Sequence, residues 1–491
     1  MPTPSRPATR GSVLTLMVAL MCAIFAFQLN ASMLSPALAT MERQLDATAA
    51  QIGMTQTAFF ASAALFSLFL PRWGDLVGRR RLMVAMLLVT GIGCVISALA
   101  PNVAVLGLGR IVQGVAGPIV PMALIMLHVQ VPEKPRYAKL MAVLTSVNGG
   151  IAGVDALLGG WLAQNFGFRS VFWTMTAVCI VAGIAVLTST VESRAAERMP
   201  MDWKGVAVLV LAFGAVYFAF DEAGRLADAR WAMVAALLLV AVLAFVAFWR
   251  IETRAAHPLV TTRYLRQRRT WALLGTTLLT MTGVFAVMNG LIPNLAQDVE
   301  IGPGISAGQV SLWTLTPYAI AGLVMGPVAG QLASRFGYRA VLQAGLVTTT
   351  LALGAAAWAS AHPTTVLLLA LSIIVGITYA GITNIMLNGL GIVLSPADNQ
   401  GYLPGMNSGA FNLGAGLSFA LLFAVNTVVA GTAGPVAGYR AGILAGAVLL
   451  LAALALSTRI PRRRPDAEDG PGTGENGVTA TTAVDQEATH V

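Results

Sequence analysis

Apolar runs of about 20 residues recur along almost the whole chain, which is the length that a helix needs to cross a membrane. Charged residues and clusters of Pro and Gly separate these runs. Since each helical residue advances by about 1.5 Å, such a run spans a hydrocarbon layer about 30 Å thick. The pattern predicts fourteen helices, over residues 12–36, 50–72, 82–100, 103–128, 137–163, 169–190, 204–222, 231–249, 270–293, 308–334, 340–359, 364–394, 402–430 and 438–458. We therefore expect an all-α polytopic membrane protein.

Composition supports a chain embedded in a lipid bilayer. Apolar residues make up 57% of the 491 positions and charged residues only 10%, whereas soluble proteins carry about 25% charged residues. The net charge of +9 comes from basic residues spread over short loops, with no basic stripe interleaved with aromatic side chains. No nucleic-acid partner is expected.

The basic residues predict the orientation in the membrane. Of the 30 lysines and arginines, 24 fall on the side of the N-terminus and five on the opposite side, while Arg110 lies within helix 4. The positive-inside rule then places both termini in the cytoplasm. Only three of the 30 are lysines, which suggests a GC-rich bacterial genome and hence a multi-pass protein of the bacterial cytoplasmic (inner) membrane.

The chain contains an internal repeat. The turn Gly74–Arg80 after helix 2 is echoed by Gly330–Arg339 after helix 10, and Asn148-Gly149-Gly150 is echoed by Asn407-Ser408-Gly409. Two homologous halves predict a substrate site between them near the midplane. The expected divisions are a cytoplasmic N-terminus (1–11), a six-helix bundle (12–190), two additional helices (204–249), a basic cytoplasmic loop (250–269), a second six-helix bundle (270–458) and a disordered cytoplasmic tail (465–491).

Two charges lie deep in the predicted membrane region. Among the 21 acidic residues only Asp155 is far from a helix end, and a lone carboxylate there costs on the order of 2.5–3.5 kcal/mol. Arg110 on helix 4 and Asp155 on helix 5 are at one depth below the exterior boundary. We expect them to interact, directly or through water, with proton binding at Asp155 alternating with Arg110 pairing. The alternative is a static buried pair that orients two helices.

Two motifs resemble the major facilitator superfamily over residues 12 to 458. Gly74-Asp75-x-x-Gly78-Arg79-Arg80-Arg81 is similar to its first signature, and Arg110-x-x-Gln113-Gly114 to its second. The fourteen-helix count resembles the drug:proton antiporter branch. The resemblance implies two six-helix bundles plus two extra central helices.

The resemblance also implies a gate formed by Gly74, Asp75, Gly78, Arg79 and Arg80. Asp75 would close it by facing the N-terminal end of helix 13 near Gly401 and Tyr402, where the helix dipole attracts a carboxylate. The alternative is that the turn only anchors the topology.

The chain departs from this branch at two places. Asn30 stands where an acidic residue is usual in helix 1, and Asp155-Ala156 stands where the helix 5 antiporter signature has Gly-Pro. These departures leave the direction of transport and the proton site open.

Polar side chains within the predicted helices indicate a cavity with uncharged hydrogen-bonding groups. The candidate lining residues are Asn30, Gln113, Asn148, Asn384, Asn388 and Asn407, with Tyr318 as an aromatic wall. Hydrogen bonds between helices, each contributing about 0.6 kcal/mol, are an alternative use for these side chains. The histidines are isolated and no phosphate-binding loop is present, so we expect no enzyme activity, no cofactor and no metal.

These features predict a monomeric, proton-coupled secondary transporter. Its partners are a small organic substrate and protons. The leading interpretation is export of small, mainly apolar compounds, as in multidrug resistance. One alternative is a proton-linked importer of a polar metabolite, which the missing Gly-Pro and the many amides favour. Another is a membrane sensor that transports nothing.

Overall fold

The computed structural model describes residues 10–131, 133–194, 200–223, 229–255, 258–260, 262–396 and 402–461. Every regular element in these ranges is helical. Thirteen elements are long and apolar enough to span a membrane: α1 Val13–Leu45, α2 Ala49–Val77, α3 Arg79–Ala98, α4 Val103–Gln130, α6 Phe168–Ser189, α7 Trp203–Ala223, α8 Trp231–Arg254, α9 Arg268–Gln297, α10 Ala307–Phe336, α11 Tyr338–Ala359, α12 Thr365–Val393, α13 Tyr402–Ala433 and α14 Pro435–Ser457. A further helix, α5, covers Lys134–Phe166 and is 33 residues long.

The predicted tail (465–491) and residues 1–9 of the predicted N-terminus lie outside the described residues. The basic loop is described in part, and a short helix, Thr262–Leu265, precedes α9.

The helices pack as two groups with a pair between them. Helices α1 to α6 contact one another, and so do α9 to α14. The intervening α7 and α8 pack mainly on each other and reach the first group through α2. Such packing in lipid depends on close van der Waals contact between helices, because the lipid tails are as apolar as the side chains.

Departures from regular α-helix recur at equivalent helices of the two groups. The first helix of each group changes form near its exterior end, at the 3₁₀ turn Ser35–Ala37 in α1 and the π-helical turn Val287–Leu291 in α9. The fourth helix of each group changes form midway, at Gly114–Ala116 in α4 and Gly376–Thr383 in α12. Such π-helical turns are frequent at functional sites.

Glycines with positive φ also recur at equivalent turns. Gly78 joins α2 to α3 and Gly337 joins α10 to α11. At Gly78 the angle is +117°, and an added Cβ would lie 2.6 Å from the Glu192 carboxylate, which accepts hydrogen bonds from the backbone N–H groups of Arg80 and Arg81. Only glycine fits this turn, since it has neither the Cβ clash nor the φ restriction.

The two groups pack against each other along α2 and α13 and along α5 and α10. They also meet at the ends of α1 and α9 that lie opposite the termini, which we call the exterior side after the predicted topology. Ser35 Oγ lies 3.4 Å from Asn289 Oδ1, and Asn294 Nδ2 donates to Glu42 Oε1 at 2.8 Å. Beside them, a Cβ on Gly160 of α5 would lie 2.2 Å from the backbone oxygen of Ala307 on α10. These contacts close the exterior side.

The opposite side is open along α1. On the face that carries Ser35, Leu14 is 67% exposed and Val18 52%, whereas Phe25 is half-buried and Ser32 is buried. Exposure therefore falls steadily toward the exterior end.

The equivalent face of α9 shows the same gradient. Trp271 is 41% exposed, Leu278 and Phe285 are half-buried, and Asn289 is buried. A cleft between the two groups thus opens on the side of the termini and narrows toward the exterior closure, which is the inward-facing conformation under the predicted topology.

Candidate functional site

The first buried charge is Arg110, on the α4 segment that precedes the 3₁₀ turn. Its Nη1 donates to Gln113 Oε1 at 2.6 Å, and its Nη2 donates to Gln56 Oε1 at 2.8 Å and to the backbone oxygen of Asn30 at 3.1 Å. The guanidinium lies 4.3 Å from the centroid of the Phe59 ring. Oxygen dipoles and a π face therefore stabilise this cation inside the first group.

The second buried charge is Asp155, on the exterior half of α5. Its Oδ2 accepts a short hydrogen bond from Ser32 Oγ on α1. The other oxygen, Oδ1, is buried and has no hydrogen-bond partner among the described residues. Neighbouring residues fix this stretch of α5 against α10, since Thr316 Oγ1 donates to the Gly153 oxygen at 2.8 Å and Ser311 Oγ to the Ala156 oxygen at 2.8 Å.

Arg110 and Asp155 do not pair in this conformation. No ion pair joins them among the described residues, because each side chain is directed at a different part of α1: Arg110 at the Asn30 backbone and Asp155 at Ser32. The expected direct interaction is replaced by two contacts to one helix. The common depth of the two residues stays a prediction, and the rotation of α4 and α5 sets which side chains meet.

The Asp155 contact extends to a third residue, Gln28. Its Nε2 donates to Ser32 Oγ at 3.0 Å, one helical turn away. Gln28 is half-buried on the cleft face of α1. A continuous hydrogen-bonded chain therefore runs from the cleft, through Ser32, to the buried carboxylate.

Three of the predicted cavity residues are fully enclosed. Asn30 donates to its own helix at Ala26 and lies 3.5 Å from Cys94 Sγ, whereas Gln113 binds Arg110 and donates to Ser97 Oγ at 2.8 Å. Asn407 accepts from Thr277 Oγ1 at 2.6 Å and is also buried. These amides join helices here.

Three others are less enclosed. Tyr318 is half-buried and stacks on Tyr379, with ring centroids 6.4 Å apart. Asn388 is exposed and donates to Asn384 Oδ1 at 3.3 Å, as expected for residues one turn apart on one face. The side chain of the remaining candidate, Asn148, lies outside the described part of the chain.

The predicted gate turn forms a local ion pair. Arg79 Nη2 lies 2.7 Å from Asp75 Oδ1, and the Asp75 side chain is 35% exposed. Gly74 packs α2 closely against Leu82 and Met122. Gly401, part of the expected partner for Asp75, lies outside the described residues, so the dipole contact stays a prediction.

Sequence reasoning missed Gln28, Ser32, Gln56 and Glu42. Ser32 and Gln56 are short or neutral side chains that carry no signal at the sequence level. Gln28 did carry such a signal, since an amide four residues before Ser32 lies on the same helical face as Ser32. Glu42 was assigned to a loop, because the apolar run ends before α1 does. Among the described residues, no group of three metal-ligating side chains comes together.

Comparison with known proteins identifies the family. The sequence profile described as Major Facilitator Superfamily matches residues 20–419, with a second match at 273–486. The chain belongs to the Major Facilitator Superfamily. Two solved structures share its fold: a nucleoside transporter, NupG, with a TM-score of 0.63 at 14% identity over 91% of this chain and all of that one, and the human organic anion transporter MFSD10, with a TM-score of 0.60 at 14% identity over 92% and 100%.

Two named relatives differ greatly in their sequence identity to this chain. A uridine/deoxyuridine transporter of Lactococcus lactis is 56% identical over 92% of this chain and 95% of its own length. The multidrug resistance protein Stp of Mycobacterium tuberculosis is 24% identical over 85% of this chain and 76% of its own length.

The prediction of drug export is therefore wrong. The superfamily assignment is confirmed, but the drug antiporter branch does not hold, since the relative at 56% identity is a nucleoside transporter. The two motifs indicated the superfamily correctly, whereas the fourteen-helix count, on which the drug antiporter branch was based, misled.

Proposed function

We propose that this protein imports pyrimidine nucleosides, with uridine and deoxyuridine as substrates, and couples uptake to protons. The observation that carries the proposal is the 56% identity to a uridine/deoxyuridine transporter over nearly the full length of both chains. Coverage of 92% of this chain includes both groups of helices and the cleft between them.

The chemistry of the cleft fits a neutral, polar substrate. Its open faces carry amides and aromatic rings, namely Gln28, Asn384, Asn388, Tyr318 and Phe285. Amides donate and accept hydrogen bonds to a base and a ribose, and aromatic rings stack on a base. The two deep charges, Arg110 and Asp155, are enclosed and do not line the open cleft.

We infer that Asp155 carries the coupling proton. In the inward-facing conformation its carboxylate is held by Ser32 at the closed end of the cleft. Proton binding there removes the cost of a buried carboxylate and so changes the relative free energies of the two access states. The Asp75–Arg79 turn serves as a cytoplasmic gate in this scheme.

Further assignments belong to the same proposal. The helix α5 is counted as a fourteenth span, with α7 and α8 as a pair inserted between two six-helix bundles. Both termini lie in the cytoplasm of a bacterial cell, since the basic residues cluster on their side. The transporter acts as a monomer, and the substrate site lies between its own two bundles.

The proposed function is tested by uptake of radiolabelled uridine in bacteria that lack their own nucleoside transporters. Cells that express the protein should accumulate uridine above the external concentration, and a protonophore should abolish the accumulation. Unlabelled deoxyuridine should compete, whereas free ribose should not. Uptake equal to that of cells carrying an empty vector would contradict the proposal.

A further inference from the structure

The hydroxyl of Ser32 fixes how the Gln28 amide is oriented. Ser32 Oγ carries one hydrogen, which it donates to Asp155 Oδ2 while the carboxylate is charged. Toward Gln28 it is then only an acceptor, so the amide must direct its NH₂ group at Ser32, as it does at 3.0 Å. The amide oxygen of Gln28 is thereby directed elsewhere.

That amide is available to a ligand. Gln28 is half-buried on the cleft face, one turn beyond Phe25 toward the closed end, and its Oε1 makes no hydrogen bond to a described residue. One N–H of the NH₂ group is used by Ser32, and the second is left over. The fixed amide thus presents one acceptor and one donor side by side.

Uracil has the complementary edge. Its N3–H is a donor flanked by two carbonyl acceptors, so Gln28 Oε1 can accept from N3–H while Nε2 donates to a neighbouring carbonyl. We propose, on the basis of the nucleoside transport proposed above, that Gln28 binds the N3 edge of the uracil base and that Ser32 links this contact to the protonation of Asp155.

The link follows from counting hydrogens. When Asp155 binds a proton, its own O–H donates to Ser32 Oγ, and the Ser32 hydrogen is freed. The backbone oxygen of Gln28, 3.0 Å from Ser32 Oγ, or Gln28 Oε1 then accepts it. In the second case the amide turns over and no longer offers its oxygen to N3–H. In that case base recognition and proton binding depend on each other through one hydroxyl.

The surroundings add no competing charge at this point. On α1, Ser32 contacts Asp155. On α10, Ser311 and Thr316 donate hydrogen bonds to the α5 backbone. The titratable side chain of Tyr318 follows two residues after Thr316. Arg110 of α4 contacts α1 at the Asn30 backbone. Within the described residues, Asp155 has no ion-pair partner.

The test compares binding of uridine and of 3-methyluridine, which lacks the N3–H donor, to the purified full-length protein. The wild type should bind uridine about tenfold or more tightly, since a site built for a donor rejects an analogue without it. In Gln28→Met this ratio should fall toward one. Gln309→Met, an exposed glutamine at the exterior end of α10, is the matched control and should keep the wild-type ratio.

A second variant tests the link to the proton. Ser32→Ala should still bind uridine, but its affinity should lose the pH dependence of the wild type. Ser67→Ala, which removes a hydroxyl that donates only within α2 to Ala63, should retain that dependence.

The outcomes separate this inference from the proposed function. Equal affinity of the wild type for uridine and 3-methyluridine would overturn the role of Gln28 without any variant, and so would an unchanged ratio in a folded Gln28→Met. Unaltered pH dependence in Ser32→Ala would overturn the link. Failure of the wild type to bind uridine at all would overturn the proposed function and this inference together.

Discussion

Arg110 and Asp155 are held by the same short stretch of α1 and not by each other. Arg110 Nη2 donates to the Asn30 backbone oxygen at 3.1 Å, and Ser32, two residues further, donates to Asp155. Just beyond Ser32, α1 changes to the 3₁₀ turn Ser35–Ala37 that closes the exterior side. A displacement of this stretch during alternating access would therefore alter both buried charges together.

The exterior closure can be tested by cross-linking. In a background with Cys22, Cys94 and Cys179 replaced by Ala, Ser35→Cys together with Asn289→Cys should form a disulfide, because the wild-type side chains are 3.4 Å apart. The bond should hold the protein inward-facing and reduce uridine uptake to background. A reductant should restore uptake, and each single variant serves as the control. Full uptake in the oxidised double variant would show that transport does not require the contact between Ser35 and Asn289 to open.

Asp155→Asn tests the proton site. The amide retains size and the contact with Ser32 but cannot titrate, so uphill uptake driven by a pH gradient should be lost while uridine exchange at equal pH persists. Asp46→Asn, at an exposed exterior turn, is the control. The measurement is counterflow and gradient-driven uptake in proteoliposomes. Uphill transport with unchanged pH dependence would make Asp155 a structural residue.

Arg110→Lys tests the oxygen cage of the buried cation. The lysine ammonium is a compact charge, whereas the arginine guanidinium is planar and carries donors that point in several directions. A lysine therefore cannot reach Gln113, Gln56 and the Asn30 oxygen together. Loss of such a partner should lower the stability by about 1–3 kcal/mol, and Arg110→Ala should cost more. Thermal unfolding of the purified variants in detergent measures both. A melting temperature for Arg110→Lys equal to that of the wild type would refute this.

Asp75→Asn tests the cytoplasmic gate. The variant loses the ion pair with Arg79 and the proposed attraction to the start of α13, so the maximal uptake rate should fall while uridine affinity stays nearly the same. Arg79→Gln, which removes the other partner, should behave alike. Transport at the normal rate in both would leave the turn with a purely topological role.

Accessibility labelling tests the topology. Single cysteines at Arg81 and Arg266 should react only with reagents that enter the cytoplasm, because both positions belong to the basic set. A cysteine at Pro303, between α9 and α10, should react from outside. Labelling of the Arg266 position from outside would overturn the predicted number of membrane spans between Arg81 and Arg266.

The predicted helices and the observed ones agree where the hydropathy pattern is long and continuous. The span predicted at 340–359 is observed as Tyr338–Ala359, because apolar residues and bounding turns define it locally. The first span was predicted to end at residue 36, but α1 runs through a break to Leu45. That extension, LATMERQL, is amphipathic and is stabilised by packing against the second group, as by Asn294 on Glu42. The local sequence of α1 does not indicate that Asn294 of α9 binds Glu42.

The sequence by itself determined the membrane class, the superfamily and the distribution of basic residues among the turns. These properties depend on hydropathy, charge bias and short motifs, which are read along one dimension. The tertiary structure decided that Arg110 is bound by Gln56, Gln113 and Asn30, that Asp155 is bound by Ser32, and that Gln28 completes the chain to the cleft. Each of these depends on helix rotation and on contacts between distant segments. A rotation of one residue, about 100°, is enough to direct a side chain at a different helix.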